Sequence, residues 1–311
     1  MADRVEIFEV VGRDGLQNEA RFVETPDKIA LINALSGAGF TKIEVTAFVS
    51  PKAVPNMRDA AQVMGAITRR SGVIYSALVP NLRGAQAAID AKVDEVNLVF
   101  SASASHNQAN VRMSCEESLT ALAQIVTACK EAGVPANVSI ATAFGCPFEG
   151  VIAPDRVLGF VGNCVDMGVA GVTLADTTGM ANPAQVSALV SAVRARYRAL
   201  PLTLHFHDTR GMGLANVYAA YQAGARRFDS ALGGIGGCPF APGATGNICT
   251  EDTVHMFEQM GVPTGLNLPS LLEIAKTLPA LVGHDTFGHV IKAGRSCDLH
   301  PLPGGASAQS A

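Results

Sequence analysis

The chain has 311 residues, a formal net charge of −4, 48% apolar residues and only 16% charged ones. The charged share lies below the roughly 25% of an average globular domain, which points to a well-covered core and away from a disordered chain. Acidic and basic residues are interleaved with no basic stripe, which argues against nucleic acid as a partner, and no apolar run approaches the roughly 18 residues that mark a membrane span.

The first residues, Met1-Ala2-Asp3-Arg4-Val5-Glu6, carry acids and no apolar h-region, an argument against a secretory signal. Seven cysteines without a CxxC pair fit a reducing cytoplasm better than a disulfide framework. Short β-branched runs then alternate with longer Ala/Leu-rich segments of helical period. The runs predict strands near Val5–Val11, Lys42–Phe48, Ile74–Val79, Glu95–Phe100, Ala136–Ala143, Gly171–Ala175, Leu202–His207 and Arg227–Leu232. Several are apolar throughout instead of alternating, as parallel strands covered on both faces are. Helices are predicted near Pro26–Ser36, Met57–Arg70, Leu82–Ala91, Glu116–Ala132, Pro154–Met167, Pro183–Ala199, Gly213–Ala223 and Thr250–Met260. Thr25-Pro26-Asp27 and Asn182-Pro183 read as an N-cap followed by a first-turn proline. Ala38-Gly39, Ala132-Gly133 and Ala223-Gly224 read as helix ends.

Eight strand–helix units without a composition break predict an α/β chain folded as one closed (β/α)8 TIM barrel, for which about 250 residues suffice. A doubly wound open sheet usually has fewer strands at this length. The barrel is expected over residues 1–283, including one extra helix at Leu268–Leu281. Residues 284–311 read as an extension, disordered from about Pro301 by its Pro, Gly, Ser and Ala content.

Three segments concentrate chemistry. His205-Phe206-His207-Asp208 ends the seventh strand, and residues i and i+2 of a strand face the same way, so both imidazoles enter the barrel mouth. Arg13-Asp14-Gly15-Leu16-Gln17-Asn18-Glu19 follows the first strand. Closure makes strand one a neighbour of strand eight, itself beside strand seven, which brings Asp14 within reach of both histidines. An Asp/His/His set suits Mg2+, Mn2+, Fe2+, Co2+ or Zn2+. Glu19 reads as an ordinary ion-pairing residue. The third segment, Gly233 to Asn247, is a connection of about fifteen residues, long enough to be functional. It is neither a Walker loop nor GxGxxG, and its glycines permit a mobile lid that approaches ligand closely. Cys238 sits at its centre. Glu44, in the second strand, and Asp176, ending the sixth, could each pair with an arginine in the barrel.

These motifs resemble the 3-hydroxy-3-methylglutaryl-CoA lyase family, within the metal-dependent TIM-barrel lyases and Claisen-type synthases. The matching stretches are Arg13–Glu19, Ile43-Glu44-Val45, Phe48-Val49-Ser50-Pro51-Lys52, Gly145-Cys146-Pro147, Asp176-Thr177, His205–Thr209 and Gly233–Asn247, in family order. The resemblance implies that Asp14, His205, His207 and Asn247 hold a divalent cation, Mg2+ or Mn2+. It implies that Arg13 stabilises a thioester enolate, that Cys238 is the general acid, and that His205 also assists proton transfer. Glu44 and Asp176 would orient Arg13 and the ligands, with Gln17 and Thr177 beside the substrate. The implied substrate is a short 3-hydroxyacyl-CoA, cleaved to acetyl-CoA and a keto acid; with 3-hydroxy-3-methylglutaryl-CoA that acid is acetoacetate, a step of leucine degradation. A cytoplasmic homo-oligomer, a dimer first, is expected.

Departures from the family pattern fall around the pocket: Val11-Gly12 for Gly-Pro, Ala20 for lysine, Ala47 for serine, Thr142 for cysteine and Arg210 for tyrosine. They leave the acyl group open, with citramalyl-CoA or a C3-substituted 3-hydroxyglutaryl-CoA as alternatives. A Claisen-type synthase usually carries further C-terminal domains and a charged glycine loop. An amidohydrolase places its HxH on the first strand, and a non-catalytic CoA-binding barrel would have lost Arg13, Cys238 or a ligand.

Overall fold

The strand segments are buried along nearly their whole length, as parallel strands walled in by helices must be. The computed structural model describes residues 4–237 and 246–300. Its strands are β1 (Glu6–Glu9), β2 (Lys42–Ala47), β3 (Ile74–Val79), β4 (Glu95–Ser101), β5 (Ala136–Ala141), β6 (Gly145–Cys146), β7 (Gly150–Val151), β8 (Gly171–Asp176), β9 (Leu202–Phe206) and β10 (Arg227–Ser230). β6 and β7 form a small antiparallel hairpin, and the other eight close into a barrel in the order β1-β10-β9-β8-β5-β4-β3-β2. The seam is made where β1 pairs with β10, Glu9 opposite Ser230, and with β2, Glu9 opposite Ile43. The single TIM barrel expected from the sequence is therefore the fold, and strand one lies beside strand eight.

Local differences have physical causes. β1 ends at Glu9, before the expected Val11. The Glu9 carboxyl accepts the Val11 amide at 2.8 Å, and the Val10 carbonyl accepts the amides of Arg13, Asp14 and Gly15 at 3.1, 2.8 and 3.2 Å. The chain winds into a wide turn, Val11–Gly15. The helix expected over Met57–Arg70 shrinks to a short turn at Pro55–Met57 and a helix at Ala60–Ala66. Side chains take its later backbone donors: Asn33 accepts the Thr68 amide and Tyr75 the Arg70 amide. The expected Leu268–Leu281 helix splits into Leu268–Ala275 and Leu278–Val282, because Pro279 has no N–H for the Ala275 carbonyl. Thr25 stands just inside its helix, not at the cap, and donates its hydroxyl to Asp59 at 2.8 Å. Asn182 does cap, in a reciprocal pair with Gln185.

A helix at Ala104–Val111, capped by Ser103, was not expected, since its polar sequence shows no apolar stripe. Beyond residue 283 the chain returns to the barrel. Phe287 N–H donates to the Gly233 carbonyl at 2.8 Å, and the Asp252 carboxylate accepts the amides of His289 and Val290. The tail from Pro301 lies outside the described residues. No described helix is long and apolar enough to cross a membrane.

Glu9 is fully buried on the outer side of the seam. Desolvation raises its pKa from 4.5 to about 8, against the bonds it accepts from Leu232, Thr250 and Val11. The folded chain thus holds a proton here that the unfolded chain releases above about 4.5, so this contribution to stability is lost as pH rises towards about 8. Thermal melts across that interval should show Glu9→Gln gaining stability relative to the native chain as pH rises; parallel pH profiles for the two proteins would contradict this titration.

Candidate active site

The turn that follows β1 lifts Arg13 and Asp14 into the C-terminal mouth of the barrel. β9 brings His205, and His207 follows just past its end on the same face. The histidine Nε2 atoms lie 3.1 Å apart, with an Asp14 carboxylate oxygen 3.4 Å from His207 Nε2 and 3.8 Å from His205 Nε2. Among the described residues these three form a cluster able to hold a metal ion, and all are buried. Asn247 completes the group. It bridges to His207 by backbone pairing, and its side-chain amide donates to Asp14 at 2.7 Å and to the Ile235 carbonyl at 3.2 Å. Gly236 is required nearby: its φ is +100°, and a Cβ there would stand 2.6 Å from the Asp14 carbonyl and 2.8 Å from the Asn247 amide.

Electrostatics at this point favour a cation. Burial disfavours the imidazolium at both rings. At His205 the Asp229 hydrogen bond and the charge of Asp14 outweigh burial and raise the pKa; at His207 burial prevails and lowers it. Asp229 faces His205 Nδ1 at 3.3 Å, the carboxylate–imidazole pairing that turns the other ring nitrogen, as a lone pair, towards a metal. The Asn247 side-chain oxygen is buried and has no hydrogen-bond partner among the described residues. The donor set of one carboxylate, two imidazoles and one amide oxygen fits a divalent ion of intermediate hardness.

Arg13 stands beside this cluster. Its Nε donates to Glu44 at 2.5 Å, and its Nη1 pairs with Asp14. Burial works against the charge, but Asp14 and Glu44 hold the guanidinium protonated. Burial likewise opposes ionisation of Asp14, and Arg13, His207 and His205 pull its pKa well below the usual carboxylate range. Glu44 is fixed from behind by Asn97 at 2.8 Å. The Asn97 carbonyl accepts in turn from Asn137 at 3.0 Å and Ser139 at 2.9 Å. A polar ladder across the barrel interior thereby sets the angle of the arginine.

Asp176 ends the sixth barrel strand, β8, as expected, but its partners are in the loop that follows. It makes no bond to Arg13; one oxygen accepts the amides of Met180 at 2.7 Å and Ala181 at 3.1 Å, shaping the loop after β8, and burial pushes its pKa up to about 6. Thr177 and Gln17 line the same cavity as Arg13, Asp14, His205 and His207; its volume is about 380 Å³. Val49, Val54, Leu78, Pro80, Val99 and Val111 also line it, together with Ser50, Asn81, His106 and Asn110. Glu19 pairs with His284 at 2.7 Å, away from the cluster. Cys238 lies outside the described residues. Sequence reasoning missed Asp229 and Asn97. Both were legible in principle as polar side chains on the inward phase of their strands, Asp229 sharing its phase with Arg227 and Asn97 with Glu95.

Comparison with known proteins agrees with this geometry. Residues 4–278 match the HMGL-like family. A hydroxymethylglutaryl-CoA lyase of Bacillus subtilis is 44% identical over 90% of this chain and 94% of its own. An (R)-citramalyl-CoA lyase of Chloroflexus aurantiacus is 42% identical over 94% of this chain and 95% of its own. The solved structure of an HMG-CoA lyase from Acinetobacter baumannii, in complex with coenzyme A and 3-methylmalate, superposes with a TM-score of 0.94. It is 53% identical and covers 97% of this chain and 98% of that one. With its closed parallel barrel and its Asp/His/His cluster at the mouth, this chain belongs to the HMGL-like family of carbon–carbon lyases.

Proposed function

We propose that the protein cleaves 3-hydroxy-3-methylglutaryl-CoA to acetyl-CoA and acetoacetate, with Mg2+ or Mn2+ as cofactor. The observation that carries this reading is the convergence of Asp14, His205 and His207 beside a partly buried Arg13, in a cavity lined largely by apolar side chains. The polar cluster suits a hydroxy acid, and the apolar lining suits the acyl chain and the thioester arm. A divalent ion held by Asp14, His205, His207 and the Asn247 carbonyl would supply the positive charge that favours loss of the 3-hydroxyl proton.

The chain's own groups perform the rest. Loss of that proton lets the C3 oxygen form a carbonyl as the C2–C3 bond breaks, and the bond's electron pair passes into the thioester as an enolate. Arg13, held at Nε by Glu44 and at Nη1 by Asp14, keeps other N–H donors for the enolate oxygen, in a place where the charge is poorly screened by water. His205 would turn Nε2 to the cation, and its part in proton transfer would run through Nδ1 and the Asp229 carboxylate 3.3 Å away, which can take up the proton that leaves the hydroxyl. A proton then returns to C2 to complete acetyl-CoA, a step we assign to Cys238 from its place in the glycine segment. Gln17 and Thr177 lie along the acyl path. A reducing cytoplasm fits the free cysteines among the described residues, and a homodimer completes the reading.

A second acyl group has specific support. One relative is named for (R)-citramalyl-CoA, so citramalyl-CoA cleavage to acetyl-CoA and pyruvate is the alternative. Purified protein with Mg2+ or Mn2+ should release acetyl-CoA with acetoacetate or with pyruvate, and EDTA or Cys238→Ala should abolish the release. Metal-loaded protein silent on both thioesters would sink both readings. Arg13→Lys should lower kcat by about 100-fold with little change in KM, because an ammonium cannot keep the Glu44 and Asp14 bonds while donating to the enolate oxygen; steady-state kinetics showing a KM effect alone would place Arg13 in binding only.

A further inference from the structure

Glu9 touches none of the proposed metal ligands, yet its one carboxyl reaches each chain segment that positions Asp14 and Asn247. Oε1 accepts the amide of Val11, which opens the turn carrying Arg13 and Asp14, at 2.8 Å. The same oxygen accepts the amide of Leu232 at 3.0 Å. Leu232 begins the glycine segment whose Ile235 carbonyl receives the Asn247 side chain. Oε2 accepts the Thr250 hydroxyl at 2.8 Å, at the first turn of the helix that follows Asn247. Glu251 adds a parallel tie, accepting the Gly233 amide at 3.0 Å.

An outward position on a barrel strand ordinarily packs an apolar side chain against the helices. Burying a carboxyl there is costly unless its oxygens are bonded, and here every bond leads to the ligand-bearing segments. Asp14 and Asn247 belong to opposite ends of the sequence, and beside their direct bond at 2.7 Å Glu9 supplies a second connection between the segments that carry them. We propose that Glu9 is a positioning residue that fixes the turn bearing Asp14 against the segment bearing Asn247, and so sets the spacing of the cation site. The inference rests on the metal-site reading above. A glutamine here keeps the oxygen that accepts the Val11 and Leu232 amides, and it keeps the contact with Thr250 by reversing that bond, its amide N–H donating to the hydroxyl, which can then donate to Ser230 2.8 Å away.

The test is Mn2+ binding by electron paramagnetic resonance, alongside kcat and thermal melting, on the native chain, Glu9→Gln, Glu9→Met and Thr250→Val. Val186→Ala, a buried change on a distant helix, serves as a control for destabilisation. Glu9→Gln should bind Mn2+ with the affinity of the native chain, unlike Thr250→Val. Glu9→Met should weaken binding by about 10-fold or more, the range typical for residues that support metal ligands, and should lower kcat, while Val186→Ala melts earlier with unchanged Mn2+ affinity. Thr250→Val, which removes one of the three ties, should weaken binding about 3-fold and decides the matter if Glu9→Met fails to fold. Native-like Mn2+ affinity in folded Glu9→Met or in Thr250→Val, or a 10-fold loss in Glu9→Gln, would overturn the role of Glu9. Absence of Mn2+ binding by the native chain would overturn the metal-site reading and this inference with it.

Discussion

The site depends on one charge balance. Asp14 is buried, and a buried carboxylate without a partner would take up a proton. Arg13, adjacent in sequence and turned to the same side by the winding of Val11–Gly15, keeps it ionised. Two imidazoles then face an anion in a poorly hydrated space, and Asp229 fixes the orientation of one of them. Arg13 is the strongest of the groups that hold the aspartate ionised, and the same guanidinium is held from its other side by Glu44. The pair is therefore both a structural device and the chemical centre, since the same guanidinium that stabilises Asp14 is placed for the enolate.

Much of this could be read from the chain. The barrel followed from eight repeats of a buried strand and a helix, and closure then brought Asp14 to the histidines without any contact information. The HxH pair was readable because a strand sends alternate residues to one face. Glu44 was readable as a charged residue in a strand that must answer some buried cation. Each of these inferences uses a single geometric rule acting over a few residues, or one topological rule acting over the whole fold.

What escaped needed more than one rule at once. The run Val5–Val11 looks like uninterrupted strand, and only the side chain of Glu9 turning back on Val11 reveals why it stops. Asp229 was hidden by the short polar run around β10, where strand phase is hard to set without its neighbour's register. Asp176 could have answered an arginine or a loop, and local sequence does not say which; its bonds to Met180 and Ala181 choose the loop. Helix ends also moved where side chains such as Asn33 and Tyr75 took backbone donors, since such competition depends on residues remote in sequence.

The placement of ligands across the seam has a consequence for how the molecule assembles. Asp14 follows the first barrel strand and the histidines the seventh, with the eighth between them. A chain without the eighth strand would leave Asp14 and the two histidines on opposite edges of an open sheet, so the complete cluster forms when that strand joins the seventh to the first. Ion capture would then be a late event in folding that draws the two ends of the chain together, and its free energy would act on the least local contacts of the fold. Gain of a bound ion would report the moment the ring is complete.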